Sequence, residues 1–313
     1  MRTMIRAAAL AAALSGAAFM PGAHAGDAPK LRSSAALIVD AETGEVLYDK
    51  NAAAVVPIAS ITKLMTAVVV LDAGLPLDEP IEITREDLAN TRAARTFTPL
   101  NRGTTLTRDE LLQLALMASE NRAAAALGRT YPGGLEAFVQ AMNETAAELG
   151  MNDTRFVEPT GLSSANVSSA ADLAKLVIAA HDYPLIREYS TAPSAEVRLG
   201  RRNARFVNTN GLVRNKGWEI AISKTGFIRQ AGRCLVMQAS LSARQVVIVL
   251  LDSVGKYTRV GDAIRIRKWL ELGNTAPVGA IRMDAPASRH AARRQSAAVE
   301  GHIGIQLQAA ALH

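Results

Sequence analysis

Ser60 and Lys63 lie three residues apart in the stretch PIASITKLM at 57–65. On a helix that spacing puts both side chains on one face, within reach of each other. The apolar run that follows, LMTAVVVLDAG with Gly74 as its stop, marks a helix that starts near Ser60. A cation in a helix's first turn opposes the macrodipole, by a few tenths to about 1 kcal/mol. Two readings fit. In one, Ser60 caps the helix and Lys63 snorkels to solvent. In the other, Lys63 is held out of water, its pKa falls, and its neutral amine takes the proton of the Ser60 hydroxyl to make a nucleophile.

Few other bases are at hand. Of five histidines, His24 lies in the N-terminal leader and His290, His302 and His313 in the tail, so only His181 belongs to the body of the chain. It falls near a helix end, in a surface or capping position. Cys234 is the single cysteine, so no intramolecular disulfide forms, and in GRCLVMQAS it reads as a small buried strand residue. A His-based triad or a zinc site has almost no material. The motifs call for no metal and no cofactor.

Two further short motifs carry polar chemistry. SEN, Ser119–Asn121, interrupts a helical segment. It is either a polar kink or a pair in which Ser119 relays a proton and the Asn121 amide binds substrate backbone. KTG, Lys224–Gly226, ends a strand-like run. It is either a plain glycine turn or a site where Lys224 attracts a carboxylate and Gly226 lets a ligand backbone lie against the strand edge.

The elements around these motifs follow from period and punctuation. SAALIVDAETGEVLYDKN predicts two strands, about 35–40 and 45–49, around the turn AETG. Thr107 with Glu110 forms a capping-box signature opening RDELLQLALMASENRAAAALG. GGLEAFVQAMNETAAELG predicts another helix ended by Gly150, NDTRFVEPTGLSSANVS a loop, and Ser169 with Asp172 the start of AADLAKLVIAAHD. Beyond 215, GWEIAISKTGF, GRCLVMQASLSA and RQVVIVLLDS predict three strands, and YTRVGDAIRIRKWLELG a closing helix. The N-terminal hairpin most economically joins the C-terminal strands in one antiparallel sheet. That gives an α+β domain whose helices pack on the sheet and form a lobe, with a cleft between the two.

Bulk composition sets the context. The 313 residues are 49% hydrophobic, enough for a substantial core. Arg2 and Arg6 ahead of AAALAAALSGAAFM, then AHAG, predict a signal peptide at 1–25, cut after Ala25 for export to the periplasm. Cleavage removes two arginines and no acids, so the formal charge falls from +6 to +4. A basic exported protein suits an anionic envelope. With aromatics at 4% and no recognition motif, nucleic acid is a poor partner. One folded domain is expected over 26–274, followed by a mobile tail at 275–313 without a core-forming period.

In chain order the motifs are S-x-x-K, S-x-N and K-T-G, on a helix start, a helical break and a strand. That is the set of class A β-lactamases and penicillin-binding proteins. The chain resembles the low-molecular-mass penicillin-binding proteins of the D-alanyl-D-alanine peptidase family, and is most similar to their periplasmic endopeptidase branch. VPIASITKLMTAVVVLDAGLPLDE, LALMASENRAAAALGRTYPGG, NDTRFVEPTGLS and SKTGFIRQAGRCLVM carry that resemblance over most of 33–272, with departures in the 92–105 loop and the tail.

The resemblance implies a transpeptidase-like fold with a five-stranded antiparallel sheet. It implies that Ser60 attacks a D-alanyl carbonyl, that Lys63 is the base and that Ser119 passes the proton to the departing amine. Asn121 would hold the substrate backbone, and Lys224 with Thr225 its carboxylate. Gly226 would border the substrate, and the backbone N–H groups of Ser60 and Phe227 would receive the oxyanion. The partners implied are peptidoglycan cross-links and, as covalent inhibitors, β-lactams. Family likeness favours cross-link cleavage over removal of a terminal D-alanine. Membrane-anchored carboxypeptidases of the family carry a second, β-rich domain and an amphipathic anchor. The residues after the last helix are too few for that domain, and HIGIQLQAAALH lacks an anchor's basic face, so at most a loose association with membrane or wall is expected.

Two rivals share the motifs. In a β-lactamase, Glu158 in VEPTGL would activate the deacylating water, although Glu120 stands where class A enzymes carry Asp. A non-hydrolytic penicillin sensor or scaffold would acylate without turning over wall peptides.

Overall fold

The computed structural model describes residues 28–88, 98–274 and 276–281. The signal peptide expected at 1–25, most of the expected tail and part of the 92–105 loop lie outside those residues.

β1 (Ser33–Asp40) and β2 (Glu45–Lys50) form the expected hairpin, with Gly44 at φ 75° in its turn. β3 (Val56–Pro57) and a 3₁₀ turn (Ala59–Ile61) lead into α1 (Thr62–Asp72). β4 (Pro80–Glu82) pairs with β5 (Thr105–Thr107). The helical lobe follows as α2 (Arg108–Met117), α3 (Asn121–Arg129) and α4 (Gly134–Glu148). After β6 (Val167–Ser168), which pairs with β3, come α5 (Ala170–His181) and α6 (Pro184–Thr191). β7 (Ser194–Leu199) and β8 (Arg202–Val207) form a separate hairpin. Then β9 (Glu219–Ile228), β10 (Gly232–Leu241), β11 (Arg244–Ser253), α7 (Thr258–Glu271) and β12 (Gly279–Ala280) complete the fold.

The main sheet runs β12-β2-β1-β11-β10-β9, antiparallel throughout. All five expected strands are in it, and β1 does pair with β11. The sixth strand, β12, hydrogen-bonds along the free edge of β2. It lies past residue 274, where no apolar period marks it, because a two-residue edge strand buries nothing.

Both faces of the sheet are covered, which explains runs such as VVIVLL that do not alternate. Successive side chains point to opposite faces. Leu37, Val39, Val236, Val247 and Val249 join the larger core with the helices. Ile38, Leu235, Met237, Ile248 and Leu250 join a second core beneath Ala263, Ile266 and Leu270 of α7. α1 is apolar nearly all round and buried from Thr62 to Val70, so it is the helix about which the lobe packs.

The local signals behave as their chemistry requires. The Glu110 N–H donates to Thr107 Oγ1 and the Thr107 N–H to the Glu110 carboxylate, closing the capping box. The Ser169 hydroxyl accepts from the Asp172 N–H at the start of α5. Cys234 is fully buried in β10, and burial pushes its thiol up to about 11. His181 is the last residue of α5. Among the described residues no helix is long and apolar enough to cross a membrane.

Candidate active site

The three motifs converge where the helical lobe meets β9, the edge strand of the sheet. Ser60 stands in the 3₁₀ turn and Lys63 on the first turn of α1. Ser119 lies in the break between α2 and α3, and Asn121 begins α3. Lys224, Thr225, Gly226 and Phe227 run along β9.

Lys63 is fully buried and its Nζ lies 2.8 Å from Ser60 Oγ. The same nitrogen donates to Asn121 Oδ1 at 2.7 Å and to the carbonyl of Thr160 at 2.5 Å. Ser60 makes no side-chain cap, so the capping reading of this serine fails, and the lysine does not snorkel. Burial lowers the Lys63 pKa to about 8, against the opposing pull of Glu158 and Glu120. A neutral amine has two N–H bonds and one lone pair. Asn121 and Thr160 take the two N–H bonds, which leaves the lone pair for the Ser60 hydroxyl.

A second lysine faces the second serine. Lys224 is also buried, and its Nζ donates to Ser119 Oγ at 2.8 Å and to the Thr225 carbonyl at 3.0 Å. Burial pushes its pKa well below the ordinary lysine value, and the charges of Lys63 and Arg259 push the same way. The Thr225 hydroxyl donates to Thr209 Oγ1 at 2.7 Å. Phe227 is 56% exposed, with the Arg233 guanidinium 4.5 Å above its ring.

Two of the six non-glycine residues with positive φ among the described residues lie at these serines. Ala59, before Ser60, has φ 48°, and Ser119 itself has φ 57°, left-handed conformations that cost a non-glycine residue about 1–3 kcal/mol. Two glycines make the Ser60 turn possible. A Cβ on Gly161 would sit 2.0 Å from the Ala59 carbonyl oxygen. One on Gly226 would sit 2.9 Å from the Ile58 carbonyl oxygen and 3.2 Å from the Ser60 nitrogen. Glycine at 226 thus also lets β9 pack closely against the chain's own Ser60 turn. The Ser60 amide thereby lies beside the strand that carries Phe227.

Several residues at the site lie outside the three motifs. Thr160 contributes a backbone carbonyl, which no side-chain pattern reports. Glu158 is engaged by its own loop. Its carboxylate accepts from the Thr160 N–H and hydroxyl and from the Gly161 N–H, each at 2.6 Å, and more distantly from the Ser163 N–H and Asn166 Nδ2. It organises the loop that presents the Thr160 carbonyl. Asn166 ties that loop to α1 by donating to Thr62 Oγ1 at 3.0 Å. Arg259 was also missed. It donates to the Gly226 carbonyl at 3.2 Å, and burial lowers its pKa. A signal for it did exist, since Arg259 occupies the first turn of α7 and is a cation at the wrong helix end, just as Lys63 is. Among the described residues no cluster of three or more His, Cys, Asp or Glu side chains could hold a metal.

A buried lysine against a half-buried serine, with a second lysine–serine pair beside it, is the equipment of a serine acyl-transfer enzyme that works without histidine. Residues 23–255 match the peptidase S11 family, described as D-alanyl-D-alanine carboxypeptidase, and the chain belongs to that family of serine D-Ala-D-Ala peptidases. The chain is 50% identical over 253 residues to a D-alanyl-D-alanine endopeptidase of Pseudomonas aeruginosa, covering 80% of this chain and 81% of that one. It is 48% identical over 255 residues to a D-alanyl-D-alanine endopeptidase of Escherichia coli, covering 80% and 81%. Its structure is similar to that of the Streptomyces K15 DD-transpeptidase, with a TM-score of 0.73 at 28% identity over 78% of this chain and 98% of the other. It is also similar to a D-alanyl-D-alanine carboxypeptidase of Mycobacterium tuberculosis, with a TM-score of 0.72 at 27% identity over 80% and 96%. The transpeptidase-like α+β fold is therefore established, with six strands in the sheet.

Proposed function

We propose that this chain is an exported peptidoglycan DD-endopeptidase that hydrolyses the bond between a D-alanyl carbonyl and the side-chain amine of a diaminopimelate residue. The observation that carries the chemistry is the Lys63–Ser60 contact at 2.8 Å, with both N–H bonds of the amine already committed to Asn121 and Thr160. Ser60 Oγ attacks the carbonyl carbon while its proton passes to Lys63. The C–N bond breaks as the proton is handed through Ser119 to the departing amine, leaving an acyl ester on Ser60. Water then attacks the ester and restores the serine. The backbone N–H groups of Ser60 and Phe227 receive the oxyanion, and a donor of this type is worth about 3–4 kcal/mol in the transition state.

Lys224 and Arg259 lie in partly or fully dehydrated positions beside Thr225, where burial disfavours their positive charge. A substrate carboxylate lodged there relieves the penalty that depresses both pKa values. β9 is an edge strand, so an extended peptide can add alongside it, with Asn121 on its opposite flank. β-Lactams enter as acyl donors and are trapped on Ser60. Export to the periplasm rests on the leader at 1–25.

The 50% and 48% identities to endopeptidases support cross-link cleavage over release of a terminal D-alanine. The test uses purified protein and its Ser60→Ala variant on defined cross-linked muropeptide dimers, with products identified by mass. Dimers split to monomers by the unsubstituted protein alone support the endopeptidase. Intact dimers with pentapeptides shortened by one alanine assign a carboxypeptidase. Acylation by penicillin with neither product assigns a sensor.

A further inference from the structure

The β7–β8 hairpin carries Arg198, Arg201, Arg202 and Arg205 against a single acid, Glu196, and all five are exposed. Its inner face is apolar. Val197 and Phe206 are buried in the larger core, and Ala195, Leu199 and Ala204 pack against it. None of the four guanidinium groups pairs with a carboxylate among the described residues. Arg198 donates only to the Gly200 carbonyl and Arg205 to the Ser194 hydroxyl. By contrast Arg108, Arg129, Arg244, Arg265 and Arg267 each meet an acid. Four like charges within eight residues repel one another, so folding gains nothing from the cluster.

The hairpin is an extension of the active site. Its second strand runs into Asn208, whose Nδ2 holds the carbonyls of Ser190 and Ala192, and then into Thr209. Thr209 donates its N–H to the Met117 carbonyl, just before Ser119, and its hydroxyl accepts from Thr225. Eight residues of extended chain from Thr209 to Arg201 span roughly 25 Å. A small soluble substrate seated against Thr225 does not reach that far, whereas a polymer does.

We propose that this hairpin is a docking arm for the wall polymer, whose free stem-peptide carboxylates bind the four arginines while a cross-link is cut at Ser60. The proposal rests on the peptidoglycan reading above. Guanidinium is the matching fork for a carboxylate. The chemistry favours carboxylates of the polymer over an anionic membrane, because the tip of the arm exposes no large apolar side chain for a bilayer and Val207, which is exposed, lies at its base. Leu199, the one large aliphatic residue near its tip, faces inward.

The test compares the full chain with R198Q/R201Q/R202Q/R205Q. Binding to isolated sacculi is measured in the Ser60→Ala background at rising NaCl, with sacculi whose carboxylates have been amidated and with phosphatidylglycerol vesicles as controls. The arm predicts at least tenfold weaker binding by the quadruple variant, loss of the salt dependence, and equally weak binding of the parent to amidated sacculi. Penicillin acylation and cleavage of soluble dimers stay within twofold, which also shows that the variant folds. Unchanged sacculus binding overturns the proposal, and so does binding to the vesicles in preference to sacculi. Failure of the peptidase reading shows separately, as no cleavage of dimers by the parent protein.

Discussion

The Nζ of Lys63 donates across 2.5 Å to the backbone carbonyl of Thr160, a residue 97 positions further along the chain. That carbonyl is aimed by Glu158, whose carboxylate gathers the Thr160 and Gly161 N–H groups. Glu158→Gln keeps the shape but puts an NH₂ group where donors converge. Hydrogen bonds to a charged group are worth about 1.5–3 kcal/mol, so the variant should lose about 2 kcal/mol of stability and acylate at least tenfold more slowly. The charge of Glu158 also raises the Lys63 pKa, so its removal should move the acid limb of the acylation pH profile to lower pH. Stopped-flow acylation between pH 5 and 10 separates the two effects. A loop that merely loosened would slow the reaction without moving the limb.

As the proposed base, Lys63 should set the pH dependence. Its pKa in the folded protein is depressed to about 8 by burial, so the amine becomes neutral, and able to accept a proton, as pH rises through that value. Acylation should climb with pH and level off above about 8. The stability term has its own sign. Between about 8 and the ordinary value of 10.5 the unfolded chain holds a proton that the folded one has lost, so this group adds stability as pH rises across that window. Lys63→Ala should abolish acylation while cooperative unfolding persists. Acylation by this variant at an ordinary rate would remove Lys63 as the base.

Ser119 should matter to rate more than to fold. Its hydroxyl accepts from Lys224 and is half-buried, so Ser119→Ala leaves no large cavity. General acid catalysis contributes about 10²–10⁴-fold, and loss of the relay should lower kcat on muropeptide dimers within that range. A β-lactam's strained amide needs less help at its nitrogen, so penicillin acylation should fall by less. An equal fall with both substrates would mean that Ser119 positions Lys224 and does not pass a proton to the leaving group.

How far the sequence spoke for this site depends on which atoms do the work. Ser60, Lys63, Ser119, Asn121 and the KTG strand, which the fold brings together, were legible because the chemistry proposed for them lies in side chains at short, local spacings. Lys63 stood out further through its conflict with the helix dipole, and Arg259 in α7 violates the same rule. The Thr160 carbonyl was silent because every residue has one. Glu158 was visible, but its side chain is spent on five donors of its own loop, a relationship that only the folded chain displays. The five main strands were legible from apolar stretches bounded by turn residues. The β7–β8 hairpin was not, since its buried residues are few and arginines occupy its outer positions. β12 was not, because it has only two residues.

Two glycines supply a graded test of how tightly the Ser60 turn is held. A Cβ at Gly161 meets the Ala59 carbonyl oxygen at 2.0 Å, and the residue's φ of +77° is itself unfavourable for alanine. Gly161→Ala should therefore cost at least about 2 kcal/mol, since left-handed strain alone is about 1–3 kcal/mol and backbone must also move. At Gly226 the contact is looser, 2.9 Å from the Ile58 carbonyl oxygen and 3.1 Å from the Ala59 Cβ, and φ is not positive. Gly226→Ala should lose less stability, about 1 kcal/mol by the lower range for overpacking, yet still displace Ser60 from Lys63. A misplacement near 1 Å can cost about 10²-fold in rate. Thermal melts and penicillin acylation of both variants read the two quantities separately. If Gly226→Ala acylates normally, the strand does not press on the Ser60 turn, and the glycine is left to the substrate alone.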